Sequence, residues 1–168
     1  MGKDDVIIEP MRDEHWPEVA RIYQEGIDTA IATFENEVPS WEEWNRNHVK
    51  NCRLVARRKN DICGWAALSP VSSRCVYGGV AEVSVYVDSR SMRLGVGRSL
   101  LLQLIDESEA EGFWTLQSGI FPENRASISL HEKVGFRKIG FRERVGKKDG
   151  IWKDNLLMER RSNIVGIN

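Results

Sequence analysis

The sequence is poor in several features that would have narrowed its function at once. Cysteine occurs three times, at Cys52, Cys63 and Cys75. An odd number with no Cys-x-x-Cys pair argues against a disulfide scaffold or a zinc site, and it fits a reducing, cytoplasmic setting. No apolar run approaches the roughly 20 residues that span a bilayer. The start, MGKDDVIIEPMRDEHW, lacks the continuous apolar stretch of a secretion signal. Acylation at Gly2 would want Ser or Thr at position 6, where Val stands. Neither sign of charge dominates: 24 Lys and Arg face 25 Asp and Glu, for a net charge of −1. No overall basic field is therefore available for nucleic acid or an anionic membrane, and neither is expected as a partner. The basic run Arg57-Arg-Lys59 sits beside a turn and reads as a solvated hairpin tip. No repeat, low-complexity segment or Pro/Gly/Ser-rich linker divides the 168 residues, so one domain is expected.

What is present is a regular succession of elements. Val6 to Glu9 reads as a strand. Asp13 is a candidate helix cap, with Pro17 early in the helix and Trp16, Val19, Ala20 and Tyr23 on its apolar face. Ser40-Trp-Glu-Glu43 has capping-box spacing and should open a second helix ending near Asn51. Arg53–Arg58 and Ile62–Leu68 read as a hairpin around Lys59-Asn60-Asp61, and Ala81–Val87 as a strongly β-prone strand. Leu100, Leu101, Leu104 and Ile105 recur at helical spacing up to Gly112. A strand at Thr115–Ile120, a helix at Ala126–Val134 and two strands at Arg137–Glu143 and Ile151–Glu159 complete the order. Such a succession implies an α/β fold: a mixed, mostly antiparallel central sheet with helices on both faces.

Chemistry is suggested first by Met92-Arg-Leu-Gly-Val-Gly-Arg98, which runs straight into a helix. The first amides and positive dipole end of a helix attract anions. Gly95 and Gly97 would let the backbone approach a ligand closely, and Arg93 and Arg98 would add charge-assisted contacts. Alone this is weak evidence, because Gly-x-Gly turns are common. A nucleotide P-loop is excluded by the missing Gly-Lys-Ser/Thr, and a dinucleotide fingerprint by the missing third glycine.

Read with Glu82-Val-Ser-Val-Tyr-Val87 before it and Asn124-Arg-Ala-Ser-Ile-Ser-Leu-His-Glu-Lys-Val-Gly-Phe136 after it, the loop resembles that of the GNAT superfamily of N-acetyltransferases. Thr33-Phe34-Glu35, Arg74-Cys-Val-Tyr77, Leu130-His131 and Gly146-Lys-Lys-Asp-Gly-Ile-Trp-Lys-Asp154 resemble in particular the phosphinothricin and methionine sulfoximine acetyltransferase branch. One departure is Met92, where the superfamily usually carries Gln or Arg; weaker but not abolished cofactor affinity is expected.

The resemblance implies acetyl-CoA as co-substrate, no metal, and a small amine-bearing acceptor. Its pyrophosphate would lie on Arg93, Leu94, Gly95, Val96, Gly97 and Arg98. Val85, Tyr86 and Val87 would pair with the pantetheine, and Asn124 and Ser127 would contact it further along. By alternation Glu82, Ser84 and Tyr86 share one strand face, a solvated face in the ordinary case. The resemblance makes Glu82 the base, with partial burial raising its pKa. It makes His131 a candidate acid for the departing thiolate, with a structural hydrogen bond as the alternative. His15 and His48 are assigned to packing or capping. Arg74 would bind an acceptor carboxylate or phosphinate, with Tyr77, Phe34 and Trp65 as walls, although aromatic residues at such positions are as commonly core. Trp152 and Asp154 would serve the pocket or a dimer contact, and a homodimer is expected from relatives. Rival functions are acetylation of protein α-amino termini and a non-catalytic acyl-CoA-binding module.

Overall fold

The structure is a computed structural model describing residues 5–168; the Met1-Gly2 start weighed above for acylation lies outside the described residues. Seven strands form one sheet in the order β1-β2-β3-β4-β5-β7-β6. They are β1 (Val6–Pro10), β2 (Leu54–Arg58), β3 (Asp61–Pro70), β4 (Val80–Val87), β5 (Thr115–Ile120), β6 (Arg137–Lys148) and β7 (Ile151–Arg161). All neighbours are antiparallel except β4 and β5, which run parallel. The helices are α1 (Trp16–Asp28), α2 (Trp41–Asn47), α3 (Val96–Ala110) and α4 (Arg125–Lys133).

Period-2 alternation along the inner strands divides the core between the two sheet faces. Leu54, Ala56, Ala66 and Leu68 pack with Leu100, Leu101, Leu104 and Ile105 of α3, and Ile128 and Leu130 of α4 lie against the same cluster. Val55, Trp65 and Ala67 face the other way, against Val19 and Ile22 of α1 and Trp44 of α2. Helices therefore cover both faces, as the sequence pattern predicts.

Three boundaries differ from expectation for identifiable reasons. Asp13 does not cap α1: it opens a short 3-10 turn, Asp13–His15, in which His15 Nδ1 accepts the Arg12 backbone N–H at 3.0 Å. Ser40 does cap α2, accepting from the Glu43 N–H at 3.2 Å, but the helix stops at Asn47. His48 leaves it in an extended conformation, with Nδ1 2.7 Å from the Trp44 carbonyl. Finally, β6 runs on to Lys148. It passes an irregularity between Arg142 and Gly146, then closes on β7 through Asp149-Gly150, both at positive φ (51° and 78°). Two such residues make the tight turn whose twist matches that of paired strands.

Candidate active site

The parallel pair β4–β5 is short. It spans Val80↔Thr115, Ala81↔Leu116 and Glu82↔Gln117, after which the strands part. From Val83 to Val87, β4 has a strand partner on one side only, β3. The gap opens into a cleft of about 1350 Å³ reaching from the loop before α3 to Arg142, Gly146 and Asn155 of the β6–β7 arm. An unpaired strand edge along such a cleft offers main-chain donors and acceptors to an extended ligand.

At one end lies the glycine loop. Arg93 and Gly95 take left-handed conformations (φ 63° and 81°), and no side chain caps the first turn of α3. Orphan amides at an uncapped helix start suit an anion. Met92, Arg93, Gly95, Val96, Gly97 and Arg98 line the cleft, Val96 while also buried in the core, whereas Leu94 is exposed outside it. The two glycines serve different needs from the shared one expected. Nothing lies within 4 Å of a Cβ built on Gly95, so only its φ demands glycine. On Gly97 a Cβ would come within 2.9 Å of Leu130 Cδ2, so its bareness admits α4. Upstream, buried Asp88 fixes the loop's entry. It accepts from Arg21 Nη2 (2.7 Å), Arg90 Nη2 (2.9 Å) and the Arg90 N–H (2.8 Å), and the two guanidiniums hold its carboxyl far below the usual range.

Glu82 stands at the fork itself. It is exposed to the cleft, not partly buried as expected, and its Oε2 accepts from Gln117 Nε2 at 3.3 Å. The face shared by Glu82, Ser84 and Tyr86 is no solvated polar face. Tyr86 stacks on Trp65 (4.9 Å, 18°) and meets Tyr23 at 4.9 Å. Burial pushes the Tyr23 phenol to about 12 and the Tyr86 phenol higher still.

His131 is 1% exposed and lies in the cleft wall. Its Nδ1 donates to the Ser127 carbonyl at 2.7 Å, and its Nε2 has no partner. Burial lowers its pKa, so the neutral imidazole keeps its one hydrogen on Nδ1 and has none at Nε2 to give. Asn124 caps α4 by accepting from the Ser127 N–H at 3.2 Å, and both residues line the cleft.

At the far end, Phe34 lines the cleft with its ring edge-on to Phe121 (4.6 Å, 85°). The other expected acceptor residues are not brought to it. Trp65 is 1% exposed, enclosed by Trp44, Tyr23 and Tyr86. Arg74 and Tyr77 flank the short turn before β4, outside the cleft, with the guanidinium 5.5 Å from the Tyr77 ring. Trp152 is exposed beneath Lys147, and Asp154 accepts the Arg144 N–H at 2.8 Å. The cation this end of the cleft does hold is Arg142, accompanied by Gly146 and Asn155. Sequence reasoning missed it because β6 presents five further Arg and Lys residues, with nothing to mark which one lines the cleft.

The sequence model of the acetyltransferase (GNAT) family matches residues 9–136. The chain belongs to this family. It is 33% identical to the phosphinothricin N-acetyltransferase of Alcaligenes faecalis over 91% of this chain and 81% of that one. Among solved structures it resembles a ribosomal-protein-alanine N-acetyltransferase from Brucella melitensis, with a TM-score of 0.86, 30% identity, and 93% and 99% coverage of the two chains. It also resembles an acetyltransferase from Salmonella typhimurium solved with its cofactor acetyl-CoA (TM-score 0.85, 26% identity, 93% of each chain). In this GNAT enzyme the cleft opens where β4 and β5 part. Among the described residues no three His, Cys, Asp or Glu gather as a metal site, and no helix is long and apolar enough to cross a membrane.

Proposed function

We propose that the protein transfers the acetyl group of acetyl-CoA to the amine of a small, amino acid-like acceptor such as phosphinothricin or methionine sulfoximine. The observation that carries this reading is Glu82 at the fork of β4 and β5, on the same cleft as the uncapped start of α3. The α3 amides with Arg93 and Arg98 would hold the diphosphate, and the free edge of β4 at Val85 and Val87 the pantetheine. The cap at Asn124 engages Oδ1, so its NH₂ is the end a pantetheine could use.

Acetyl-CoA supplies an activated acyl group on a good leaving sulfur. An amino acid amine is largely ammonium at neutral pH, and Glu82, directly or through one water, takes its proton. The C–N bond forms as the C–S bond breaks, and the proton lost by nitrogen reaches the departing sulfur through solvent. We read His131 as a structural member of the wall and not as the acid, since burial favours the neutral form and the hydrogen on Nδ1 is already given to the Ser127 carbonyl. Arg142 replaces Arg74 as the cation for the acceptor's carboxylate or phosphinate.

A thiol-release assay across amino acids and their analogues tests the reading. Glu82→Gln should lower kcat/KM by about 10² to 10⁴-fold with the KM for acetyl-CoA little changed. Wild-type turnover in Glu82→Gln would sink the assignment. The Brucella neighbour supports a second acceptor class, protein α-amino termini. Mass spectrometry of peptides incubated with acetyl-CoA separates the two.

A further inference from the structure

Lys148, the last residue of β6, has its position fixed by the tight turn that follows and by its pairing with Ile151. A lysine beside a hairpin tip would ordinarily extend into water. This one is 5% exposed, and its Nζ donates to the Glu35 carbonyl and, at 2.9 Å, to Asn36 Oδ1. Both acceptors are uncharged, so an ammonium has been desolvated without a carboxylate to offset it. What it grips lies more than a hundred residues away in the chain: the irregular segment 31–36, which carries Phe34 over the cleft.

Within the segment, the Glu35 N–H donates to Thr33 Oγ1 at 3.1 Å. On the β6 side, Gly146 makes room for Phe34: a Cβ there would come within 2.9 Å of the ring's Cε1. Phe34 then rests on Phe121. Segment 31–36 is thus tied to β6 at Glu35 and Asn36, and Phe34 within it is seated between Gly146 and Phe121.

We propose that Lys148 is a positioning residue: it holds the Phe34-bearing segment as the acceptor-side wall of the cleft, so that the β6–β7 arm sets which acceptors are admitted. The proposal rests on the acetyl-transfer reading, with the acceptor entering beside Phe34 and Arg142.

Lys148→Met keeps the aliphatic length and removes the donors. Hydrogen exchange in the free enzyme should quicken about tenfold or more in peptides covering 31–36, with β1 and β2 unchanged. Steady-state kinetics should show the acceptor KM raised about tenfold with the acetyl-CoA KM unchanged. Lys148→Arg, which retains donors, should recover part of both effects. Unaltered exchange in 31–36 would overturn the proposal, as would an acetyl-CoA KM rising in step with the acceptor's. Should Lys148→Met fail to fold, Asn36→Ala, at an exposed residue that loses one of the two bonds, is judged by the same two readings. If no acceptor is turned over by the wild type, the acetyl-transfer reading fails instead, and the exchange measurement still decides whether Lys148 anchors the segment.

Discussion

Two arginines separate what a side chain is from where it stands. Arg74 has the charge that an acceptor carboxylate wants, but it lies beside Tyr77 before β4, outside the cleft. Arg142 lines the cleft with Phe34 and Gly146. Arg142→Ala should therefore raise the acceptor KM about 10 to 100-fold, the worth of one charge-assisted hydrogen bond, while Arg74→Ala should leave kinetics near wild type. Initial rates at saturating acetyl-CoA check this, and the opposite ranking would refute it. The place of Glu82 on the cleft was legible through the family resemblance, since alternation alone would put it on a solvated face. Arg142 and Lys148 were not, because no short-range pattern tells an inward cation on an edge strand from an outward one. The aromatic residues divide similarly: Phe34 reaches the cleft, and Trp65, in an equally apolar setting, fills the core.

Among the elements, the loop into α3 combines two constraints that the sequence motif merges. Gly95 is bare for its backbone angle and Gly97 for the approach of Leu130. Gly95→Ala should cost about 1 to 2 kcal/mol, the penalty of a left-handed alanine, and weaken acetyl-CoA by deforming the amides around the diphosphate. Gly97→Ala meets the flexible end of a leucine and should be milder, acting through a small displacement of α4. Urea unfolding and isothermal titration with acetyl-CoA compare the two; a costlier Gly97→Ala would reverse this assignment. Helix periodicity and capping chemistry located α2, α3 and α4 to within a few residues. The C-terminal half of β6 escaped because Val145-Gly-Lys-Lys is too polar for an alternating strand, and the Asp149-Gly150 turn signal alone could not extend it.

For the molecule as a whole, the sheet and its two helical layers followed from the order of periodic segments, but the depth of the fork did not. How far β4 and β5 stay paired depends on packing between distant parts of the chain. The same packing governs the response to acid. His15, His48 and His131 are all held neutral, chiefly by burial, with pKa values below the ordinary 6.5. The unfolded chain therefore takes up protons first as pH falls through 6.5, and stability declines by as much as ~1.4 kcal/mol per pH unit for each histidine until the folded values are passed. Asp88 acts in a lower window. Its carboxyl is depressed, so its contribution is complete above 3.8 and is lost only as pH falls below that toward its folded value. Urea midpoints should consequently be lower at about pH 5.5 than at about pH 7.5; equal midpoints would contradict the neutral assignment.

The three residue pairs that join β4 to β5 are the whole ladder between two sub-sheets, β1 to β4 on one side and β5, β7 and β6 on the other. A nucleotide thioester lodged against the free β4 edge would act as a stitch along this seam, and its binding energy would add to the folding energy of the chain. The enzyme's endurance would then be tied to its supply of donor: a protein starved of it would open along that line first.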